Sequence, residues 1–139
     1  MKKKVSVICI ICVMLLCVVS CAAPITFQTS GASYEITGIR LADQELNFTP
    51  GAGNTLLVLT LKTDNASLDD AQNSFFGVNA SPATVSQNGG QQYPCVRFGI
   101  ETDGRSVQVV LVFEVPADWG NTKAFTLSGE SFGAVNLNQ

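Results

Sequence analysis

The sequence predicts an all-β fold, an antiparallel β-sandwich of about seven to nine strands. Apolar and polar residues alternate along most of the chain after residue 33, which is the period of a β-strand, and no segment shows a clean helical stripe. Short runs rich in Gly, Asn, Asp and Pro separate the alternating segments at regular intervals. Such punctuation is typical of sandwiches that are built from short strands.

Three segments give the strongest strand predictions: residues 55–63, 93–101 and 106–115. The side chains expected to face the core are Leu57, Leu59, Leu61, Val96, Phe98, Ile100, Val107, Val109, Leu111, Phe113 and Val115. The opposite faces are mixed and are expected to face solvent or to be partly covered; Val58 and Cys95 fall there by parity.

Other strand signals are weaker or irregular. Residues 34–41 change phase at Gly38, and a β-bulge there would return Tyr34 and Ile36 to the same face as Ile39 and Leu41. The pair Asp103-Gly104 predicts a tight hairpin between the last two strong strands. Weaker strands are expected at 74–79, 83–87, 123–127 and 133–137.

The first 21 residues have the layout of a secretory signal. Lys2, Lys3 and Lys4 precede an apolar run at 5–19, and residues 18–21 read Val-Val-Ser-Cys. The run is shorter than the roughly 20 residues that span a bilayer. A transmembrane helix is therefore the weaker alternative, and secretion without an anchor is another.

The four residues that end at Cys21 resemble the lipobox of bacterial lipoproteins. The resemblance implies that residues 1–20 are a lipoprotein signal peptide and that Cys21 becomes the first mature residue, carrying a lipid such as palmitate. Residues 21–33 would then be the lipidated cysteine and a tether, and 34–138 the folded domain. The protein would be extracytoplasmic, held at the cell surface by its membrane anchor, or on the outer membrane if the cell has two.

Two motifs in the expected domain carry a second resemblance. They are TLLVLTLKTDN at 55–65 and LVFEVP at 111–116, and a polar loop and the aromatic segment 75–78 lie between them. Their order resembles the immunoglobulin-like (telokin-like) domains of bacterial surface lipoproteins of unknown function. The resemblance covers about 34–138 and implies an immunoglobulin-like β-sandwich. Since the motifs are core strands, it implies no catalytic residue.

Composition excludes several functions. The chain has no His, and so lacks the usual general base and the commonest metal ligand. Of five cysteines, three lie in the expected signal and Cys21 would be lipidated, so Cys95 has no disulfide partner. Loss of three signal lysines leaves 5 basic and 11 acidic residues, a net charge of −6, which argues against nucleic-acid binding. We expect no enzyme, cofactor or metal centre.

Two loops are candidate binding sites. Asp64, Asn65, Asp69 and Asp70 form an oxygen-rich cluster, although its spacing fits no EF-hand and Asx residues also favour turns. Trp119 either caps the open end of the sandwich or contacts a partner.

The leading hypothesis is a non-catalytic module that binds an unknown partner, such as another envelope protein, through these loops. The alternative is a small-ligand or Ca²⁺-binding accessory of an envelope or transport system. Three alternatives are open for Cys95: it is buried, as free cysteines often are, or exposed without a function, as its parity suggests, or redox-active or dimer-forming.

Overall fold

The computed structural model describes residues 24–64, 67–77, 81–104, 106–121 and 124–137. The expected signal peptide and Cys21 lie outside these residues. The described chain is built of antiparallel strands with one α-helix and one short 3₁₀ helix. In chain order the elements are β1 (Ile25–Gln28), β2 (Ser33–Ala42), β3 (Asn54–Thr63), α1 (Leu68–Phe75), β4 (Thr84–Gln87), β5 (Tyr93–Asp103), β6 (Ser106–Pro116), the 3₁₀ helix Ala117–Asn121, β7 (Phe125–Gly129) and β8 (Gly133–Asn136).

The strands are hydrogen-bonded in the order β1-β2-β3-β6-β5-β4-β7-β8. Long ladders join β2, β3, β6 and β5, whereas β4 joins β5 through only two residue pairs, Thr84 with Pro94 and Val85 with Tyr93. Strands on both sides of that junction bury side chains in one shared cluster, which we call the main core. The predicted all-β antiparallel class is confirmed.

The centre of the strand order is the pair β3–β6, which is in register from Asn54–Pro116 to Thr63–Val107. The side chains that were predicted to face inward on these two strands are all buried: Leu57, Leu59, Leu61, Val107, Val109, Leu111, Phe113 and Val115. Burial of each adds about 1.5–3 kcal/mol to the free energy of unfolding. The alternation of the sequence therefore located the main core correctly on both strands.

The outer face of β3–β6 is also partly buried, which is one of the two alternatives expected for it. Leu56, Val58 and Val112 are fully buried there in a second group, the outer cluster. Val58 lies on the outer face, as its parity predicts, but it is covered there and not exposed to solvent. The β2–β3 connection covers this face, and Phe48 packs on the outer cluster.

The β2–β3 connection has a local hairpin geometry. The amide of Phe48 donates to the carbonyl of Glu45 at 2.8 Å, and the two residues between them, Leu46 and Asn47, have φ of 48° and 58°. Two left-handed residues form a tight turn of the kind that closes two-residue hairpins. The Arg97 guanidinium lies 4.6 Å from the centre of the Phe48 ring, a cation–π contact that fixes the cover over the sheet.

The glutamate of the LVFEVP motif holds the turn that precedes β3. The Glu114 carboxylate accepts hydrogen bonds from the Gly51 amide at 2.7 Å and from the Asn54 side chain at 3.0 Å. The hydrogen bonds from Asn54 and Gly51 lower the pKa of Glu114. The LVFEVP motif therefore supplies core side chains and also a residue, Glu114, that stabilises a turn.

Two bulges set which side chains reach the main core. The bulge predicted near Gly38 is confirmed, since the β2–β3 register shifts between Ile36 and Gly38. Tyr34 and Ile36 are buried and Ile39 packs against the main core, but Leu41 is 40% exposed. A β5–β6 register shift lies between Cys95 and Arg97, and it reverses the phase at the start of β5.

The β5 bulge corrects two predictions from parity. Cys95 lies in the main core, 6% exposed, and Val96, predicted to face inward, packs on the outer cluster instead. Phe98 and Ile100, beyond the bulge, pack against the main core as predicted. The predicted β5–β6 hairpin is confirmed: Asp103 pairs with Ser106, and Gly104 has φ of 60°.

The first strand lies within the expected tether. Residues 25–28 form β1, which pairs with β2 from Ile25–Ile36 to Gln28–Ser33. Phe27 packs against the main core. β1 is therefore packed as part of the folded domain.

The strand predicted at 74–79 is wrong in its described part, because α1 runs through Phe75 and residues 76–77 are not in a strand; residues 78–79 lie outside the described residues. Ser67 caps α1, and its hydroxyl accepts a hydrogen bond from the Asp70 amide at 3.1 Å. Ala71, Ser74 and Phe75 form the buried face, at the i, i+3, i+4 spacing of a helix. A cap residue with acidic residues in the next turn is a helix-start signal that the strand interpretation overlooked.

Phe75 is the contact through which α1 joins the sheet. Its ring is fully buried, and ring centroids lie 5.0 Å away in Tyr34, 5.6 Å in Phe132 and 6.1 Å in Phe27. These rings come from β1, β2 and the β7–β8 turn. One helical side chain thus links elements from both ends of the chain.

Candidate functional site

The acidic loop of the sequence prediction is divided between a strand end and a helix. Asp64 is exposed immediately after β3, and Asp69 is exposed in the first turn of α1. Asn65 lies outside the described residues, as does Cys21. Asp64, Asp69 and Asp70, three of the four residues that were proposed as one binding loop, are thus not carried by a single irregular segment.

Asp70 has a structural role. Its carboxylate accepts a hydrogen bond from the buried Tyr34 hydroxyl at 3.1 Å, so the first turn of α1 is tied to β2. A Cβ atom on Gly31 would lie 2.2 Å from the Asp70 carboxylate, and the glycine therefore makes room for this contact. Burial, with the nearby Asp70 carboxylate, raises the pKa of Tyr34, which stays protonated and donates.

Trp119 is part of the main core. It is 5% exposed, stacks on Phe125 at 5.3 Å and meets Tyr93 edge-on at 5.4 Å. The 3₁₀ helix after β6 turns its ring inward over the end of the sheet. Of the two interpretations of Trp119, the cap is therefore the one that its position supports.

The two candidate loops lie at opposite ends of the central pair. Asp64 follows Thr63, which pairs with Val107 at the start of β6, whereas Trp119 follows Pro116 at its end. Ten paired residues at about 3.3 Å each separate them by roughly 30 Å. They cannot contribute to one small site.

Cys95 is a buried thiol. Its Sγ donates to the Arg97 carbonyl at 3.1 Å, and burial raises its pKa to about 11. Nucleophilic and redox chemistry need the thiolate, which is scarce at neutral pH with this pKa. The position agrees with a packing role for the side chain.

A band of polar side chains crosses the outer face near the β5–β6 hairpin. Each of these residues is exposed and lies opposite the next one on the neighbouring strand. We call this set the polar row, and its members are Thr26, Glu35, Lys62, Gln108 and Glu101. At about 4.8 Å per strand it spans some 19 Å. In the sequence, the sign of this row is that each of the three strongly predicted strands has a polar, outward-facing residue near one end: Lys62, Glu101 and Gln108.

Lys62 lies where two surface depressions meet. One, of about 390 Å³, is lined by residues of β1, β2 and β3 and also by Asp64. The other, of about 610 Å³, is lined by Thr37, Glu101 and Gln108 with their neighbours. The polar row therefore offers an ammonium group, carboxylates, an amide and hydroxyl groups side by side, a set that recognises polar groups by hydrogen bonding.

In the part of the chain that the structure describes, no three or more His, Cys, Asp or Glu side chains come together to hold a metal ion. No helix among the described residues has the length and apolar character needed to cross a membrane.

Comparisons with protein-family models, curated proteins and solved structures found no match for this chain.

The role of Asp70 can be tested against its neighbour Asp69. Both Asp70→Ala and Asp69→Ala remove a negative charge from the first turn of α1, but only the former leaves the buried Tyr34 hydroxyl without its acceptor. We expect Asp70→Ala to lower the free energy of unfolding by about 1–3 kcal/mol more than Asp69→Ala. Urea unfolding measures both, and equal losses would contradict the structural role.

Proposed function

We propose that this chain is a lipid-anchored, extracytoplasmic lipoprotein whose domain is a non-catalytic interaction module. The observation that carries the proposal is the short distance in sequence between the lipobox-like residues 18–21 and the first strand. β1 begins at Ile25, four residues after Cys21. Four extended residues reach at most about 14 Å.

That reach keeps the domain close to a membrane surface. The interfacial region on each side of a bilayer is about 5–8 Å thick, so little of the connection remains beyond it. Ile25 pairs with Ile36, and its neighbour Thr26 pairs with Glu35 in the polar row. The short connection would therefore hold this end of the sheet, with the polar row, near the membrane surface.

The polar row is the surface we propose for recognition. It takes the place of Asp70 and Trp119, which the sequence suggested as binding residues, because Asp70 is hydrogen-bonded to Tyr34 and Trp119 is buried. Asp64 stays in the proposal, since it is exposed and lines the same depression as Lys62. The partner would be a polar molecule of the envelope, another protein being the first choice.

We further propose that the strands form an immunoglobulin-like sandwich, like that implied by the resemblance to surface lipoprotein domains. The support is the narrow β4–β5 junction between two groups of strands that share one core. Rigid sheets that present polar surfaces suit recognition, and the chain has no His for the commoner catalytic pairs.

The anchor is tested by replacing one cysteine at a time in the full chain. Cys21→Ser is expected to abolish labelling by an alkyne-bearing palmitate analogue and to release the protein from the membrane fraction. Cys17→Ser, within the expected signal, is the matched control and should label normally. A processed, labelled and membrane-bound Cys21→Ser protein would contradict the anchor.

The recognition surface is tested by photo-crosslinking in intact cells. A benzophenone amino acid in place of Gln108 should give a reproducible adduct that Lys62→Glu removes, since Lys62 and Gln108 are paired. The same probe at exposed Asp118, at the other end of β6, is the control and should give none. Equal adducts at both positions, or none at Gln108, would count against the polar row.

A further inference from the structure

The strand β5 has a long open edge. On one side it pairs with β6 from Cys95 to Asp103. On the other side β4 pairs only with Tyr93 and Pro94, and the Cys95 amide donates to the Ala83 carbonyl at 2.9 Å. Among the described residues, no strand pairs with residues 97–103 on that second side.

An open edge of this length is a template for another strand, because its amides and carbonyls are available for a further ladder. The terminal strands of the order, β1 and β8, have only four residues each. The β5 segment is longer and regular, since its bulge lies before Arg97. Apolar surface lies beside it: Phe76, at the end of α1, is 40% exposed, and its ring stacks on Phe98 of β5 at 6.0 Å.

The sequence of this edge is self-complementary. If two copies pair antiparallel about Gly99, residue 97 of each copy faces residue 101 of the other, and 98 faces 100. The register therefore sets Arg97 opposite Glu101 twice and Phe98 opposite Ile100 twice. Opposite charges and apolar pairs at directly facing positions both stabilise a ladder.

The charged pair is available for such a contact. Arg97 and Glu101 are both exposed, and the salt bridge found among the described residues joins Arg40 and Glu45 instead. Arg97 contacts the Phe48 ring and donates to the Val96 carbonyl at 2.8 Å, so its side chain is held near the β5 edge, and no carboxylate of the described part of the chain pairs with it.

We propose that two copies of this chain associate through their β5 edges, antiparallel about Gly99, as a two-fold symmetric dimer. A two-fold axis is the symmetry that a self-complementary edge requires. The proposal does not rest on the lipid anchor. The interface is a short ladder, so the dimer is weak and its population depends on concentration.

Charge reversal tests both the dimer and its register. Glu101→Arg sets Arg opposite Arg, Arg97→Glu sets Glu opposite Glu, and the double variant R97E/E101R restores opposite charges. We expect each single variant to weaken dimerisation roughly tenfold or more, because two pairs change per dimer. The double variant should return to within about threefold of the unaltered chain.

Sedimentation equilibrium of the full-length protein in density-matched detergent measures the association. Glu130→Arg, the same charge change at an exposed position in the β7–β8 turn, is the control and should leave the dimer unchanged. Glu101→Arg is the main variant because Arg97→Glu also removes the contact with Phe48, and thermal unfolding of every variant shows whether it is folded.

Three outcomes would overturn the proposal. They are a protein that stays monomeric at every concentration, a dimer that Glu101→Arg leaves unchanged, and a double variant that dimerises no better than the single ones. The expected pattern of loss and rescue would establish both the edge and the register.

Discussion

Burial of both faces of the β3–β6 pair is the constraint on which the rest of the structure depends. Leucines and valines on one side of the pair fill the main core, and Leu56, Val58 and Val112 on the other need a cover of their own. A strand with one solvent face would need none. The long β2–β3 connection is folded back over the sheet because this second apolar surface has to be kept from water.

The other elements complete this framework. α1 places Phe75 among rings from β1, β2 and the β7–β8 turn, and Asp70 ties the helix to Tyr34. Trp119 closes the opposite end against Tyr93 and Phe125. The domain thus uses Asp70 and Trp119 for its own stability. The outer polar row and the β5 edge are the surfaces that we propose for other molecules.

Much of the fold could be predicted because strand alternation reports burial directly. Residues 106–115 alternate cleanly, and every inward side chain was located. Prediction from parity failed where a bulge changes the phase of the strand. The β5 bulge moves Cys95 into the main core, and no glycine in the sequence marks the position of this bulge. The periodicity of apolar residues also failed to predict α1, because a helix of about two turns is too short to show a recognisable apolar face.

The candidate site was less predictable because polarity does not distinguish a residue that binds another molecule from one that forms hydrogen bonds within the fold. Asp69 and Asp70 are identical in the sequence, yet only Asp70 meets a buried hydroxyl from a strand 36 residues away. The polar row depends on register across five strands, which no local pattern contains. Long-range pairing, rather than residue type, decides which polar side chains can act.

Amide hydrogen exchange of the purified protein, followed residue by residue, tests the central constraint most directly. If the β3–β6 pair, which is buried on both faces, holds the structure together, its amides exchange only through global unfolding. The free energy derived from their exchange rates should then equal the free energy of unfolding measured in urea. The amides of β7 and β8 should open at lower free energy. Exchange of β3 and β6 by local opening, with β7 and β8 equally or better protected, would contradict the account.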